Sequence, residues 1–195
     1  MARSTPSSDS PRDAIALLKQ DHRTVEGLFE EFEKAEDEEQ AAIAQRVCQL
    51  LTVHATIEEE LLYPPAKEAF ADDEDDDLVN EAEVEHGTAK ELIAKIEGMT
   101  SEDEHFKATV KVLSEYIKHH VKEEEGELFP KLKKTELDLK EIGARLSERK
   151  YALMEQMGIE EQEPVQPRKR AAGRSTRGAA RSKSGNKRAS SRTRH

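Results

Sequence analysis

The chain has 195 residues, enough for one folded domain and a tail, and its 37% charged and 4% aromatic content, with no Trp, fits a helical protein with an aliphatic core. No apolar run approaches the roughly 18 residues of a membrane span, and the opening MARSTPSSDSP lacks the apolar stretch expected of a secretory signal. The net charge of −11 conceals a division: after Glu163 there is no acid but eleven Lys or Arg, leaving 20 basic against 42 acidic residues in the rest. The lone cysteine, Cys48, excludes an internal disulfide framework, fits a reducing cytoplasm, and is expected on a buried helix face.

Residues 1–10, rich in Ser, Thr and Pro, are expected to be disordered. Ser10 as N-cap, Pro11 at the first helical position and Asp13 in the first turn predict the start of a helix. Its stripe is Ile15, Leu18, Val25, Phe29 and Phe32, and it fades at Glu36–Glu39. A second helix is predicted from about Glu39 to Tyr63, with Ile43, Val47, Leu50, Leu51, Ile57 and Leu61 on one face and Pro64-Pro65 as its stop. Asp72–Asp77 reads as a solvated loop.

A third helix is predicted from about Leu78 to Glu97, closed by Gly98. A capping box at Ser101–Glu104 predicts the start of a fourth, which carries Phe106, Val110, Leu113, Ile117 and Val121 and ends at Pro130. A last segment, about Glu136 to Met157, has an apolar face of Leu139, Ile142, Leu146 and Met154. Four long helices with short connections predict an all-α, up-down-up-down four-helix bundle over residues 11–157, with an extra C-terminal helix and a disordered basic tail over 158–195.

Each long helix places one histidine on its apolar stripe. His22 lies between Leu18 and Val25, His54 between Leu51 and Ile57, His86 between Ala82 and Ala89, and His120 between Ile117 and Glu124. Glu58 and Glu124 follow His54 and His120 by four residues, one turn along the same face. An ionised carboxylate in apolar surroundings costs several kcal/mol without a partner, and no Lys or Arg shares these stripes. A cationic metal centre answers that deficit.

The chain also repeats itself. HATIEEELLYP at residues 54–64 matches HVKEEEGELFP at 120–130, an offset of 66, and Asp21-His22 matches Glu85-His86 at an offset of 64. The first helix pair therefore resembles the second, which predicts two near-equivalent half-sites and two metals sharing two carboxylates. Imidazole and carboxylate without thiolate suit iron, manganese or zinc, and a carboxylate-bridged pair in a bundle points to iron or manganese. Counted from the predicted ends, His86 and His120 differ in level by roughly 10 Å at 1.5 Å per residue.

The ordered set His22, His54/Glu58, His86 and His120/Glu124 resembles the hemerythrin-like, HHE cation-binding family, and the resemblance covers about residues 11–153. It implies two iron ions, ferrous or ferric and oxo- or hydroxo-bridged, with Glu58 and Glu124 as bridges and the histidines as terminal ligands. It further implies O2, hydrogen peroxide or NO as the small ligand, and leaves open whether the protein turns over peroxide, as a catalase does. Oxygen carriers of the family use a fifth histidine one turn from the first on the third helix. Here those positions are Ala82 and Lys90, so the fifth ligand is expected to be water, Tyr116, Glu26 or Glu83. His105, His119 and His195 are expected to face solvent, as are Glu59, Glu60, Glu123 and Glu125.

The Arg/Lys/Ala/Gly/Ser segment from Arg168 to Arg194 cannot form a core. Having no aromatics, it is expected either to contact nucleic-acid phosphates weakly and without sequence preference, or to serve as a solubilising tail or one that folds back on the acidic body. The alternative function is accordingly an iron- or oxygen-responsive binding module whose basic tail contacts nucleic acid without turnover.

Overall fold

Asp13, not Ser10, caps the first helix. In the computed structural model, which describes residues 13–71 and 76–160, α1 runs Ala14–Lys34 and the Asp13 carboxylate accepts the Ala16 amide at 2.8 Å. Ser10 and Pro11 lie outside the described residues, as do His195, the basic stretch and most of Asp72–Asp77. A two-residue turn leads into α2, Asp37–Leu61. Pro64 and Pro65 do not end the helical path. They occupy the first turn of α3, Tyr63–Phe70, where a missing amide hydrogen costs nothing, and Leu62 joins the two helices with helical dihedrals.

α4 runs Asp76–Glu97, two residues longer at its start than the sequence predicts. The capping box at Ser101 is not used. Residues 101–105 form a turn in which Asp103 accepts from the Thr100 amide and hydroxyl at 2.7 and 2.9 Å, and α5 starts only at Phe106 and runs to Glu123. That later start narrows the level difference between His86 and His120 to about 4.5 Å, three residues at 1.5 Å each. Beyond Glu123 the chain widens into a π-turn, Glu124–Leu128, in which the Phe129 amide bonds the Glu124 carbonyl five residues back. α6, Phe129–Leu132, follows, and α7 runs Leu139–Gln156 with Asp138 as its N-cap.

The described residues contain no strand, and no helix among them is long and apolar enough to cross a membrane. α1, α2, α4 and α5 form a four-helix bundle, and α7 packs across α1 and α2. The core falls into two apolar clusters. One gathers Leu18, Ile57, Tyr63, Phe129 and Leu146; the other gathers Val25, Phe29, Val47, Ile93 and Leu113. Along α1, His22 lies between Leu18 of the first and Val25 of the second, so a polar layer separates the two. Each wholly buried Leu contributes about 1.5–3 kcal/mol, which is what allows the bundle to tolerate that layer.

α7 sits against α1 through Gly143. A Cβ built there would lie 2.6 Å from both the Ala14 nitrogen and the Asp13 carbonyl carbon, so only glycine permits this approach. At its far end Gly158, at φ 65°, turns the chain left-handed. The Ile159 amide then reaches the Met154 carbonyl at 2.8 Å, and Gly158 reaches Glu155 at 3.1 Å. Ile159 is thereby buried with Met154 against Val53 of α2. Cys48 is fully buried, and burial foremost pushes its thiol up to about 12.

Candidate metal centre

The structure brings together all six residues that the sequence singles out. His22, His54, His86, His120, Glu58 and Glu124 are each no more than 5% exposed. They form two overlapping groups that share Glu58: His22, His54, Glu58 and Glu124 on one side, and Glu58, His86 and His120 on the other. Inside the layer, His22 Nε2 lies 3.2 Å from both His54 Nε2 and Glu124 Oε2. Glu58 Oε2 lies 3.1 Å from His54 Nε2 and 3.4 Å from His86 Nε2, and His120 Nε2 lies 3.8 Å from Glu124 Oε2.

Three of the four histidines bond a carboxylate through their other nitrogen, and the fourth, His54, faces one beyond hydrogen-bond distance. His22 Nδ1 meets Glu125 at 2.9 Å, His86 Nδ1 meets Glu59 at 3.1 Å, His120 Nδ1 meets Glu85 at 2.7 Å, and His54 Nδ1 lies 3.7 Å from Asp21. Glu59 and Glu125, expected to be a solvated face, instead stand behind histidines. They are related by the 66-residue repeat, as Asp21 and Glu85 are by the 64-residue one. Three of the four carboxylates are in turn held by cations from other helices: Glu125 by Lys19 and Arg23, Glu59 by Lys90, and Asp21 by Lys150 of α7. Glu60 does face outward, in a two-pronged pair with Arg149 at 2.6 and 2.9 Å.

A carboxylate at Nδ1 favours the tautomer that carries its proton there and leaves an Nε2 lone pair aimed inward. Two such lone pairs would then meet at the 3.2 Å between His22 and His54, and carboxylate oxygens face the same space. Both oxygens of Glu58, Oε2 of Glu124 and Nε2 of His120 are buried without any hydrogen bond. Orphaned acceptors at this density are what a cation would satisfy. The donor set therefore fits a metal bound by nitrogen and oxygen.

The metal-free electrostatics express the same deficit. Burial, then the neighbouring Glu124, pushes the Glu58 carboxyl well above its ordinary range. Burial acts in the same direction on Glu124, but the closeness of His22 at 3.2 Å and of the other histidines outweighs it and holds that carboxyl down to about 2. Burial and then His120 drive His86 down to about 3, and burial foremost lowers His54. Burial also works against His120, yet the Glu85 hydrogen bond prevails and raises it.

Tyr63 completes the layer, and sequence reasoning missed it. Its phenol is wholly buried, 3.3 Å from His86 Nε2, and donates to Glu124 Oε1 at 3.4 Å. Burial, then Glu58 and Glu124, pushes that phenol well above its usual range. The repeat held the signal, because Tyr63 aligns with Phe129. Each ring stacks on the histidine of its own side, Tyr63 on His86 and Phe129 on His22, at centroid distances of 5.4 and 6.0 Å. The residues weighed as a fifth ligand lie elsewhere. Tyr116 packs against the second apolar cluster, Glu26 pairs with Arg23, and Glu83 pairs with Lys67. His105 is exposed, as expected, and His119 is 58% exposed beside Glu123.

Above the histidines lies a cavity of about 20 Å³, walled by Val25, Leu51, Ala55, Ala89, Ile93 and Ile117. It is apolar and has room for a water-sized molecule.

A four-helix bundle closed around buried imidazoles and carboxylates with unsatisfied acceptors is a metal-binding bundle. The chain belongs to the hemerythrin HHE cation-binding domain family, whose description matches residues 13–132. Its fold is similar to that of a hemerythrin HHE cation-binding domain-containing protein from Mycobacterium kansasii, at 22% identity and a TM-score of 0.63 over 74% of this chain and 88% of that one. It is also 28% identical over 114 residues to a DNA nickase from Nostoc sp. strain PCC 7120. That alignment takes in 58% of this chain but only 31% of the Nostoc protein, so the chain spans about a third of that relative's length.

Proposed function

We propose that this protein holds two iron ions in the polar layer, with Glu58 and Glu124 as shared carboxylates, and that it binds or reduces a small oxidant: O2, hydrogen peroxide or NO. The observation that carries the reading is the set of buried acceptors without partners on two half-sites that share Glu58, directly beneath a small apolar cavity. Iron, when bound, supplies one-electron redox chemistry and open positions for a small ligand. The chain's own residues do the rest. Glu59, Glu85 and Glu125 fix three of the histidine rings, Asp21 faces the fourth, and cations from other helices hold Glu59, Glu125 and Asp21 in turn. The aliphatic wall excludes bulk water and large solutes from the open side. Tyr63 sets a neutral phenol beside His86, where its proton is available to a small ligand bound next to Glu124.

The test is metal content per chain and the visible spectrum of protein purified aerobically. Two irons with the charge-transfer bands of a ferric pair are expected; no metal, or a single zinc, would sink the reading. Mixing the ferrous form separately with O2, hydrogen peroxide and NO identifies the ligand. Sustained release of O2 from peroxide would make the protein a catalase-like enzyme.

The similarity to a DNA nickase favours a second reading, an iron- or oxygen-responsive binding module whose basic residues 168–194 contact nucleic acid without turnover. Duplex DNA should then bind the full chain weakly and release steeply with salt. A chain ending at Glu163 that bound equally well would exclude this role. Incubation with supercoiled plasmid, read as conversion to open circles, tests strand cleavage itself.

A further inference from the structure

The two halves of the bundle differ in one respect that the metal layer does not explain. Between α4, α5 and the π-turn a cavity of about 120 Å³ opens, lined by Glu81, Glu85, Glu123 and Glu127 and reaching His120 and Glu124. The repeat offsets relate these positions to the opposite half. Glu81 corresponds to Leu17, Glu123 to Ile57, Glu127 to Leu61 and His119 to Val53. Leu17 and Ile57 there belong to an apolar cluster with Ile142 and Leu146 of α7, Leu61 packs against it, and Val53 packs with Met154 and Ile159. One mouth of the layer is therefore plugged with apolar side chains and capped by a helix. Its mate carries four carboxylates and leads inward.

Three of the groups in and beside the groove are spaced to hold an ion. Glu85, His119 and Glu123 present ligand atoms within 4.8 Å of one another, with His119 Nε2 3.2 Å from Glu123 Oε1 and 3.9 Å from Glu85 Oε1. Glu85 faces both ways, since its Oε2 accepts from His120 Nδ1 at 2.7 Å. Below it, Glu124 and His120 are 2% and 3% exposed, and each has a buried polar atom without a partner. The π-turn forms part of the floor. Its widened hydrogen bonding accommodates Glu124 and Glu127 in one short segment, a distortion that recurs at functional sites.

We propose that this acidic groove is the port by which a divalent cation enters the core, with Glu85, His119 and Glu123 as a staging site that hands it to His120 and Glu124. The proposal rests on the reading that the six buried residues bind metal. Four carboxylates converging on a narrow mouth raise the local cation concentration, an effect that accelerates association and is screened by salt. His119 adds a nitrogen donor at the last exposed point before the buried layer.

The experiment follows Co2+ uptake by metal-free full-length protein in the visible absorption of the ion, at about 10 mM and about 500 mM salt, where screening differs several-fold. The variant Glu81→Gln/Glu123→Gln/Glu127→Gln is compared with a control of equal charge change far from the groove, Glu33→Gln/Glu38→Gln/Glu39→Gln. The groove variant should load roughly tenfold more slowly at low salt and reach the same final occupancy, while the control loads at the parental rate. His119→Ala should remain slower at high salt, where steering is screened and only ligation counts. Equal rates for parent and groove variant, or equal slowing by the control, would overturn the port while leaving the metal centre intact. A lower final occupancy in the groove variant would overturn it too, by placing those carboxylates in the centre itself. Failure of the parental protein to take up Co2+ would remove the metal centre and the port together.

Discussion

Replacing Glu58 by glutamine should have opposite effects on the metal-free and metal-loaded protein. Glu58 is wholly buried, neither of its oxygens makes a hydrogen bond, and burial followed by Glu124 holds its carboxyl well above the ordinary value of 4.5. As pH rises through 4.5 the unfolded chain gives up this proton while the folded metal-free protein keeps it. The folded state therefore loses stability with rising pH and regains it below 4.5. The loss at pH 7 is capped by the interval from 4.5 to 7. At about 1.4 kcal/mol per pH unit, that is about 3–4 kcal/mol. Glutamine keeps the shape and removes the ionisation, so metal-free Glu58→Gln should melt up to roughly 10 °C higher at pH 7 and show little gain at pH 4.5. If Glu58 ligates metal as proposed, the same change removes a negative ligand and should weaken binding. The assay is thermal unfolding of chelator-treated protein at several pH values, with parent and variant compared at each. That comparison is needed because His54 and His86, lowered by burial, act in the opposite sense below their ordinary 6.5. Glu124 falls outside the window, since its contribution disappears only as pH falls toward 2. A metal-free variant less stable than the parent at pH 7 would refute the argument.

The remaining expectations concern the surroundings of the layer. Gly143→Ala forces a Cβ into the backbone of Asp13 and Ala14 and should cost about 1–3 kcal/mol in denaturant unfolding; an unchanged midpoint would mean that α7 does not approach α1 this closely. Tyr63→Phe removes the hydroxyl beside His86 and Glu124 and should alter the visible spectrum of the iron-loaded protein, whereas Tyr116→Phe should leave the spectrum as it is. Glu125→Gln frees the His22 ring and breaks the pairs with Lys19 and Arg23, so metal affinity measured by chelator competition should fall about 10–100-fold, with the helical content unchanged.

The bundle was legible because its signals are local and periodic. Apolar stripes on four helices, interrupted once each by histidine, require a buried polar layer, and that layer is where the structure places the six residues. The misplaced boundaries each involve a local rule overridden by its neighbours. Ser101 has the spacing of a capping box, yet Asp103 bonds Thr100 and delays α5 to Phe106. Pro64 and Pro65 are strong helix stops in isolation, but Leu62 stays helical and the two prolines open α3 instead. The second layer of the site was less legible. Glu59 and Glu125 sit one residue beyond Glu58 and Glu124, and an acidic run on a helix looks solvated until the partner helix is in place. Tyr63 is marked in the sequence only by the repeat that aligns it with Phe129; that it neighbours His86 is decided by the packing of α3 against α4.

The sharing of carboxylates between half-sites bears on how such a protein arises. His22, His54 and Glu58 come from the first helical hairpin, but the group they form also takes in Glu124 from the second. Likewise His86 and His120 of the second hairpin are grouped with Glu58 of the first. A lone hairpin carrying one histidine and one HxxxE motif would thus present an incomplete ligand set and complete it only by pairing with a second copy of itself. The internal repeat of this chain has the form of such a dimer fused by duplication, and α7, which among the described residues packs on the first hairpin without a counterpart on the second, marks where the two copies ceased to be equivalent.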